Sequence, residues 1–398
     1  MGKLMPNTAL RTPARLSIVA SLSLAITACG TDRSITCALP ASSSSSATCT
    51  CGSETAACPI QPGPEFLYAS TSGGQILAFS VGQNNTALTP IGSVPGPAIG
   101  LGLAAVDNQF LYASDTQNAQ IDGFSIDQTT GALTALAGSP FSTGTLSFPG
   151  VLATPPGDVG SLQQSSLLYA ADSGTIDTFT ISTAGVPTLS VSPSVTEAGF
   201  SITVDPSGNF LYAADDDPPG GIYAFTTDTA QGLAEVPGSP FTIPGQTVAN
   251  SLPASIADWR GSYLYVTLSL TNQIAAFSIM SSGALTPVPG SPFSSGATPT
   301  SAVVANNFLY ALNSADGTLS GYSIDSINGV LTPLSGSPFA ITGVSLATDY
   351  FGATLYIVGS TGIEAYSIGA SGALTPESGS PFAASGATLL TVVQIPPP

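Results

Sequence analysis

The chain has no histidine, only five lysines and arginines, and one tryptophan in 398 residues. Without histidine, neither a Ser–His–Asp nor a Cys–His nucleophile system can be assembled. Charged residues make up only 7% of the chain, and 23 are acidic. Such an acidic surface repels nucleic acid and anionic lipid headgroups. No Gly-rich loop carries a phosphate-binding lysine. Cysteine is absent beyond Cys58. The longest apolar run, Leu16–Ala28, is 13 residues, too short to cross a bilayer, which takes roughly 20.

The basic residues that do exist are mostly at one end. Lys3, Arg11 and Arg15 precede that apolar run, and Cys29 follows it. This is the layout of an export signal over residues 1–28. Its end, "ITACG", resembles the lipobox of bacterial lipoproteins, which implies cleavage before Cys29 and lipidation of that cysteine. The expected location is the bacterial cell envelope, with the membrane reached only through the lipid anchor. Cleavage there leaves Arg33 and Arg260 as the only basic residues.

Residues 29–64 read as a tether. "ASSSSSA" (41–47) has no hydrophobic period, and a flexible coil of this length reaches about 30–35 Å. Cys37, Cys49, Cys51 and Cys58 lie in it. Export to an oxidising compartment favours disulfides, and the spacing is not that of paired C-x₂₋₄-C zinc ligands. Direct bridging of Cys49 and Cys51 is strained. Two pairings therefore stay open: 37–49 with 51–58, or 37–51 with 49–58.

From residue 65 onward the 43 glycines and 33 prolines of the chain punctuate a repeat. An apolar residue, Leu and Tyr recur in "FLYAS" (66–70), "FLYAS" (110–114), "LLYAA" (167–171), "FLYAA" (210–214), "YLYVT" (263–267), "FLYAL" (308–312) and "TLYIV" (354–358). Their mean spacing is about 48 residues. Each unit carries an apolar strand, a turn, the Leu-Tyr strand, a polar loop and a third strand such as "QIAAFSI" (273–279). A Gly-bearing hairpin and an "ALTP" strand complete it. Four antiparallel strands at this period predict a β-propeller blade. In "QIAAFSI", Ile274 and Ala276 face one way while Ala275, Phe277 and Ile279 face the other. Both faces are apolar, as expected of a sheet sandwiched between two others.

The first unit lacks an inner strand, and an unpaired apolar strand, "ATLLTVVQI" (387–395), follows the last. The fold class predicted for residues 65–398 is therefore all-β: a seven-bladed propeller of four-stranded antiparallel blades, closed when the C-terminal strand joins the first blade. "GSPF", found at 138–141, 238–241, 290–293, 336–339 and 379–382, is expected to be the turn leading from one blade to the next.

"DPSGNFLYAAD" (205–215) followed by "GIYAFTTD" (221–228) resembles the lactonase-type seven-bladed propellers, a family that includes 6-phosphogluconolactonase. The resemblance covers roughly residues 66–398. It implies the propeller fold and, for an enzyme, hydrolysis of a sugar lactone through basic and histidine side chains near the central channel. This chain has no histidine and one basic residue in the propeller, Arg260, in a turn on the opposite face. The resemblance therefore assigns no catalytic residue.

The loop between second and third strands is acidic or amidic in several blades: Asp115, Asp172, Asp215, Asp216, Asp217, Asn313 and Asp316. Oxygen ligands of this type suit Ca²⁺, so Asp215, Asp216 and Asp217 are candidate metal ligands. Turn carboxylates in water are the plainer reading. A non-catalytic, monomeric binding module is expected, with an unidentified protein or carbohydrate ligand at the channel face. A lactone hydrolase and a Ca²⁺-dependent adhesion or polysaccharide-binding protein are the alternatives.

Overall fold

The computed structural model describes residues 63–396, except 83–86, 144–148, 156–165, 172–174, 191–200, 216–220, 229–231 and 246–252. It also describes three short strands, Ile35–Ala38, Thr48–Cys51 and Glu54–Ala57. These three form a small antiparallel sheet in which Cys37 lies opposite Cys49. The proposed signal, residues 1–28, and Cys29 and Cys58 fall outside the described residues. Among the described residues no helix is long and apolar enough to cross a membrane.

Residues from Glu65 onward form seven antiparallel sheets, each a blade of four sequential strands. Blade 6 is a regular example: Pro299–Ala305, Phe308–Asn313, Thr318–Ile324 and Leu331–Pro333. Blade 1 is the exception, and it closes the ring. Its order is Ala387–Gln394, Glu65–Thr71, Gln75–Val81, Leu88–Pro95. The C-terminal strand is innermost and runs antiparallel to the first, with Val393 opposite Phe66 and Leu390 opposite Ala69. The predicted closure is the one found.

The reason for a ring lies between the sheets. Seven apolar clusters occur, and each joins two neighbouring blades. Ala275 and Phe277 of blade 5 pack with blade 4, through Tyr212 and Ile222. Ile274 and Ala276, one residue out of phase, pack with blade 6, through Leu309 and Tyr322. A two-residue period sends alternate side chains to opposite faces, and here both faces are buried. One cluster, containing Leu67, Tyr356 and Leu390, spans the seam between blades 7 and 1.

The repeated tyrosines lock adjacent blades. Tyr68, Tyr112, Tyr212, Tyr265 and Tyr310 are fully buried. Their hydroxyls donate to the carbonyls of Gly131, Gly185, Gly283, Gly329 and Gly372 in the following blade, at 2.7–3.2 Å. Each glycine has φ between +71° and +82°, a conformation costly for other residues. A Cβ there would also strike the aromatic ring two residues before the tyrosine, at 2.3 Å from Phe66 for Gly131 and 2.4 Å from Tyr263 for Gly329.

The "GSPF" phrase is not the passage between blades. It lies inside the outer strand and shapes it. In blade 2, Leu133–Ala135 pairs with the third strand, the chain detours through Gly138-Ser139-Pro140, and Phe141 rejoins that same third strand opposite Ile121. Phe293 of blade 5 returns likewise opposite Ile274, and Phe241, Phe339 and Phe382 bridge Ile222, Leu319 and Ile363. The five Ser-Pro bonds are cis.

The serine repairs the ladder broken by the detour. Its Oγ accepts from the backbone N–H of Gly123, Ala224, Ala276, Gly321 and Ala365, at 2.8–3.1 Å. The carbonyls of the same five residues accept from the N–H groups of Leu136, Val236, Val288, Leu334 and Glu377. Proline and glycine were correct turn signals, but the turn is a bulge. The true crossovers follow it.

Removing one of these hydroxyls leaves a strand N–H without its partner, at about 1–2 kcal/mol. Ser291→Ala should lower stability by that amount in urea denaturation, whereas Ser282→Ala, in an exposed hairpin, should leave it within error. Equal effects of the two substitutions would refute the clamp.

Candidate functional site

The two ends of the propeller have different chemistry. At one end, the crossovers meet the loops between second and third strands. At the other, the turns between first and second strands meet the hairpins between third and outer strands. The first end, the loop face, surrounds the channel mouth.

Polar side chains on the loop face pin the crossovers in place. Ser114 Oγ accepts from the N–H groups of Leu101 and Gly102, at 3.2 and 2.8 Å. Thr116 donates to the carbonyl of Pro149. Asn313, buried, donates from Nδ2 to Thr318 and Ser320 and accepts from Ser295 at 2.9 Å. Asp316 accepts from the N–H of Ala297 and the hydroxyl of Thr318. The Ala297 hydrogen bond, first among several, holds its carboxyl below the usual range. In the described part of this face several side-chain oxygen atoms are thus held by backbone amides and hydroxyls.

Deeper in the channel the inner strands touch through small hydroxyls. Ser201 accepts from the N–H of Ile256, and Ser255 from that of Ala302, at 3.2 and 3.1 Å. Thr154 donates to the carbonyl of Ala105.

The expected site residues fare differently. Asp115 is nearly buried and accepts from the N–H and Nδ2 of Asn118, at 3.1 and 2.7 Å. It caps its own turn, though it is buried rather than in water as the plainer reading had it. Asn313 and Asp316 belong to the crossover clamp of blades 5 and 6. Asp172 and the candidate Ca²⁺ ligands, Asp216, Asp217 and the side chain of Asp215, lie outside the described residues. Among the described residues no three His, Cys, Asp or Glu side chains gather closely enough for a metal ion.

Two acidic residues escaped the sequence reading because they sit within strands. Asp122 and Asp177 occupy the same position in the third strands of blades 2 and 3, Gln120–Ile126 and Ile176–Ile181. By the two-residue period, Asp122 shares a face with Phe124, which packs on blade 1. Asp115 shares that face with Leu111, so both carboxylates turn toward blade 1. Burial, then the charge of Asp115, pushes the Asp122 carboxyl up to about 6. The aligned column could have revealed it: Leu77, Asp122, Asp177, Tyr223, Ala275, Ser320 and Glu364 vary between apolar and charged amid otherwise apolar positions.

The opposite face holds more acids, used as turn caps. Asp205 accepts from the N–H of Phe210, and Asp349 from those of Ala353 and Thr354, at 2.6–2.7 Å. Asp258 accepts from the N–H of Gly261, but its Oδ2 is buried without a partner. Burial pushes its carboxyl up to about 7. Glu65, beside the ring seam, accepts from the N–H of Tyr350 at 2.7 Å. Burial raises it to about 8, with the charge of Asp349 adding to the shift. Arg260 is exposed in the turn of blade 5 and lies over the Trp259 ring, 5.1 Å from its centroid.

Comparison with solved structures finds the same overall fold in proteins titled as gluconolactonases. A Bacteroides fragilis protein provisionally titled a 6-phosphogluconolactonase superposes with a TM-score of 0.67 at 18% identity, over 83% of this chain and 98% of that one. A similarly titled Bacteroides uniformis protein gives 0.67 at 18%, over 84% and 100%. A periplasmic gluconolactonase from Pseudomonas aeruginosa gives 0.62 at 16%, over 84% and 100%. At such identities the likeness concerns the fold. No protein-family model matches the chain, and no curated protein sequence matches it.

The raised carboxyls set a pH dependence. Glu65, Asp258 and Asp122 keep protons in the folded state that the unfolded chain releases near pH 4. Their contribution to stability is complete below that pH and is lost as pH rises through about 6, 7 and 8. The melting temperature should therefore fall between pH 5 and pH 8. Glu65→Gln should flatten the upper part of that decline. A decline identical in the variant would dismiss Glu65 as its source.

Proposed function

We propose that this protein is an exported, envelope-anchored propeller that binds a ligand on its loop face without transforming it. The observation carrying this reading is the position of Arg260. It is the only basic residue from Glu65 onward, and it stacks on Trp259 in a turn at the face opposite the channel mouth. A phosphorylated sugar lactone needs cationic partners at the site where it reacts, and the loop face has carboxylates, amides and hydroxyls instead. Such groups suit a neutral hydroxyl-rich ligand, such as a carbohydrate, or a cationic partner surface, and repel polyanions. Anchoring through Cys29 and the 29–64 tether would hold this face away from a membrane.

The second reading is a lactone hydrolase. The superpositions favour it at the level of fold, and Asp122 favours it chemically. A carboxyl titrating near 6 is suited to general acid–base work near neutral pH.

The purified mature chain should hydrolyse glucono-δ-lactone and 6-phosphogluconolactone no faster than buffer, read by pH-stat. It should also retain neutral polysaccharides in affinity electrophoresis. An enzyme-level rate with either lactone, abolished by Asp122→Asn in a variant of unchanged melting temperature, would replace binding with hydrolysis.

A further inference from the structure

We propose that the rim between blades 1 and 2 contains a binding site for a small apolar ring of benzene size. The argument begins with the internal repeat. Five blades end the outer strand with the phenylalanine of "GSPF": Phe141, Phe241, Phe293, Phe339 and Phe382. In blades 2 and 6 the ring lies over the glycine of the third strand. A Cβ on Gly123 would be 2.8 Å from the Phe141 ring, and one on Gly321 2.8 Å from that of Phe339. Leu136 and Leu334 flank the same points at 3.0 Å.

Blade 1 is built differently at this place. Its outer strand has "GSVPG" (92–96). It takes a one-residue bulge at Ile91 where other blades make the longer Gly-Ser-Pro detour: Ala78 pairs with Gly92 and Phe79 with Pro90. Val94 lies opposite Ile76, as Phe141 lies opposite Ile121 in blade 2. Valine thus replaces the phenylalanine, and no neighbouring side chain takes over the space. A pocket of about 140 Å³, open to solvent on one side, remains there. Ile76, Ala78, Ile91 and Val94 of blade 1 and Ala132 and Leu133 of blade 2 line it. Ala78 is the counterpart of Gly123, so the cavity coincides with the place of the missing ring.

Size and chemistry select the occupant. An enclosed aliphatic cavity of about 150 Å³ takes up benzene; this pocket has a similar volume and aliphatic walls but is open to solvent on one side, at Gly92 and Ser93. The wall here is aliphatic, and Ile91 and Val94 are only half-buried, which gives a small molecule a route in. The other blades show the group this location accommodates: a phenyl ring between the third strand and the next blade's hairpin. A charged or strongly polar ligand would find no side chain to meet it, since Ser93 is the one polar side chain of the lining.

The test uses the mature chain with ¹³C-labelled Ile, Leu and Val methyl groups, titrated with benzene. Saturable shifts confined to Ile76, Ile91, Val94 and Leu133 are expected. Val94→Phe should weaken binding at least tenfold and raise the melting temperature. Ala78→Leu, which fills the space from the opposite wall, provides the same test if Val94→Phe fails to fold. Shifts that never saturate or that spread over many methyls would overturn the proposal, as would undiminished binding in a folded filled variant.

Discussion

A blade with two apolar faces cannot stand alone. That constraint governs this protein. Each sheet is a sandwich filling, hydrophobic on both sides, and water is excluded only when a neighbour covers each face. Seven sheets meet the requirement by closing on themselves, and closure needs an inner strand for a blade whose own sequence begins at the second. The C-terminal strand supplies it, from more than 300 residues away in the chain. The low charge content has the same origin: most strand residues face another sheet, so few positions are left for charges in water.

Closure also explains why polar groups inside the ring are so regularly paired. A hydroxyl or amide between two sheets has no water to turn to, and an unmade hydrogen bond there costs more than a made one contributes. Five tyrosines meet this by reaching across to the next blade's hairpin glycine, whereas the Tyr356 hydroxyl is buried without a partner; the serines of the outer strands bond an N–H that the detour would orphan. Both devices recur with the repeat because each blade poses the same local problem. Carboxylates follow a different rule. Asp316 is exposed and faces backbone amides, which hold its carboxyl low; Glu65 and Asp258 also accept a backbone N–H, but burial outweighs it and raises them.

Much of this was legible in the sequence. The recurrence of Leu-Tyr at about 48 residues fixed the number of blades, and the surplus apolar strand at 387–395 fixed the closure. The alternation in "QIAAFSI" told correctly which side chains face which neighbour. "GSPF" was misread because Gly and Pro mark a bend without saying whether the strand ends or resumes. Only the pairing of Phe141 with Ile121 distinguishes a bulge from a crossover. Asp122 was missed for a related reason. A single acidic residue in an apolar strand looks like a solvent-facing position, and burial on both faces becomes clear only when the ring is assembled. The loop acids that stood out in the sequence proved easiest to explain as turn caps and crossover clamps, at least at Asp115 and Asp316.

The departures from the repeat carry information that its regularity does not. Hairpin glycines 131, 185, 283, 329 and 372 accommodate the aromatic rings of Phe66, Phe110, Phe210, Tyr263 and Phe308 from the preceding blade. At the seam Thr354 stands where those rings are. The Val94 position is a further departure from the repeat. Valine replaces phenylalanine, and the facing residues Ala78, Ala132 and Leu133 have not grown to match. Packing alone would favour filling the space, because a void forfeits contacts on every wall that lines it.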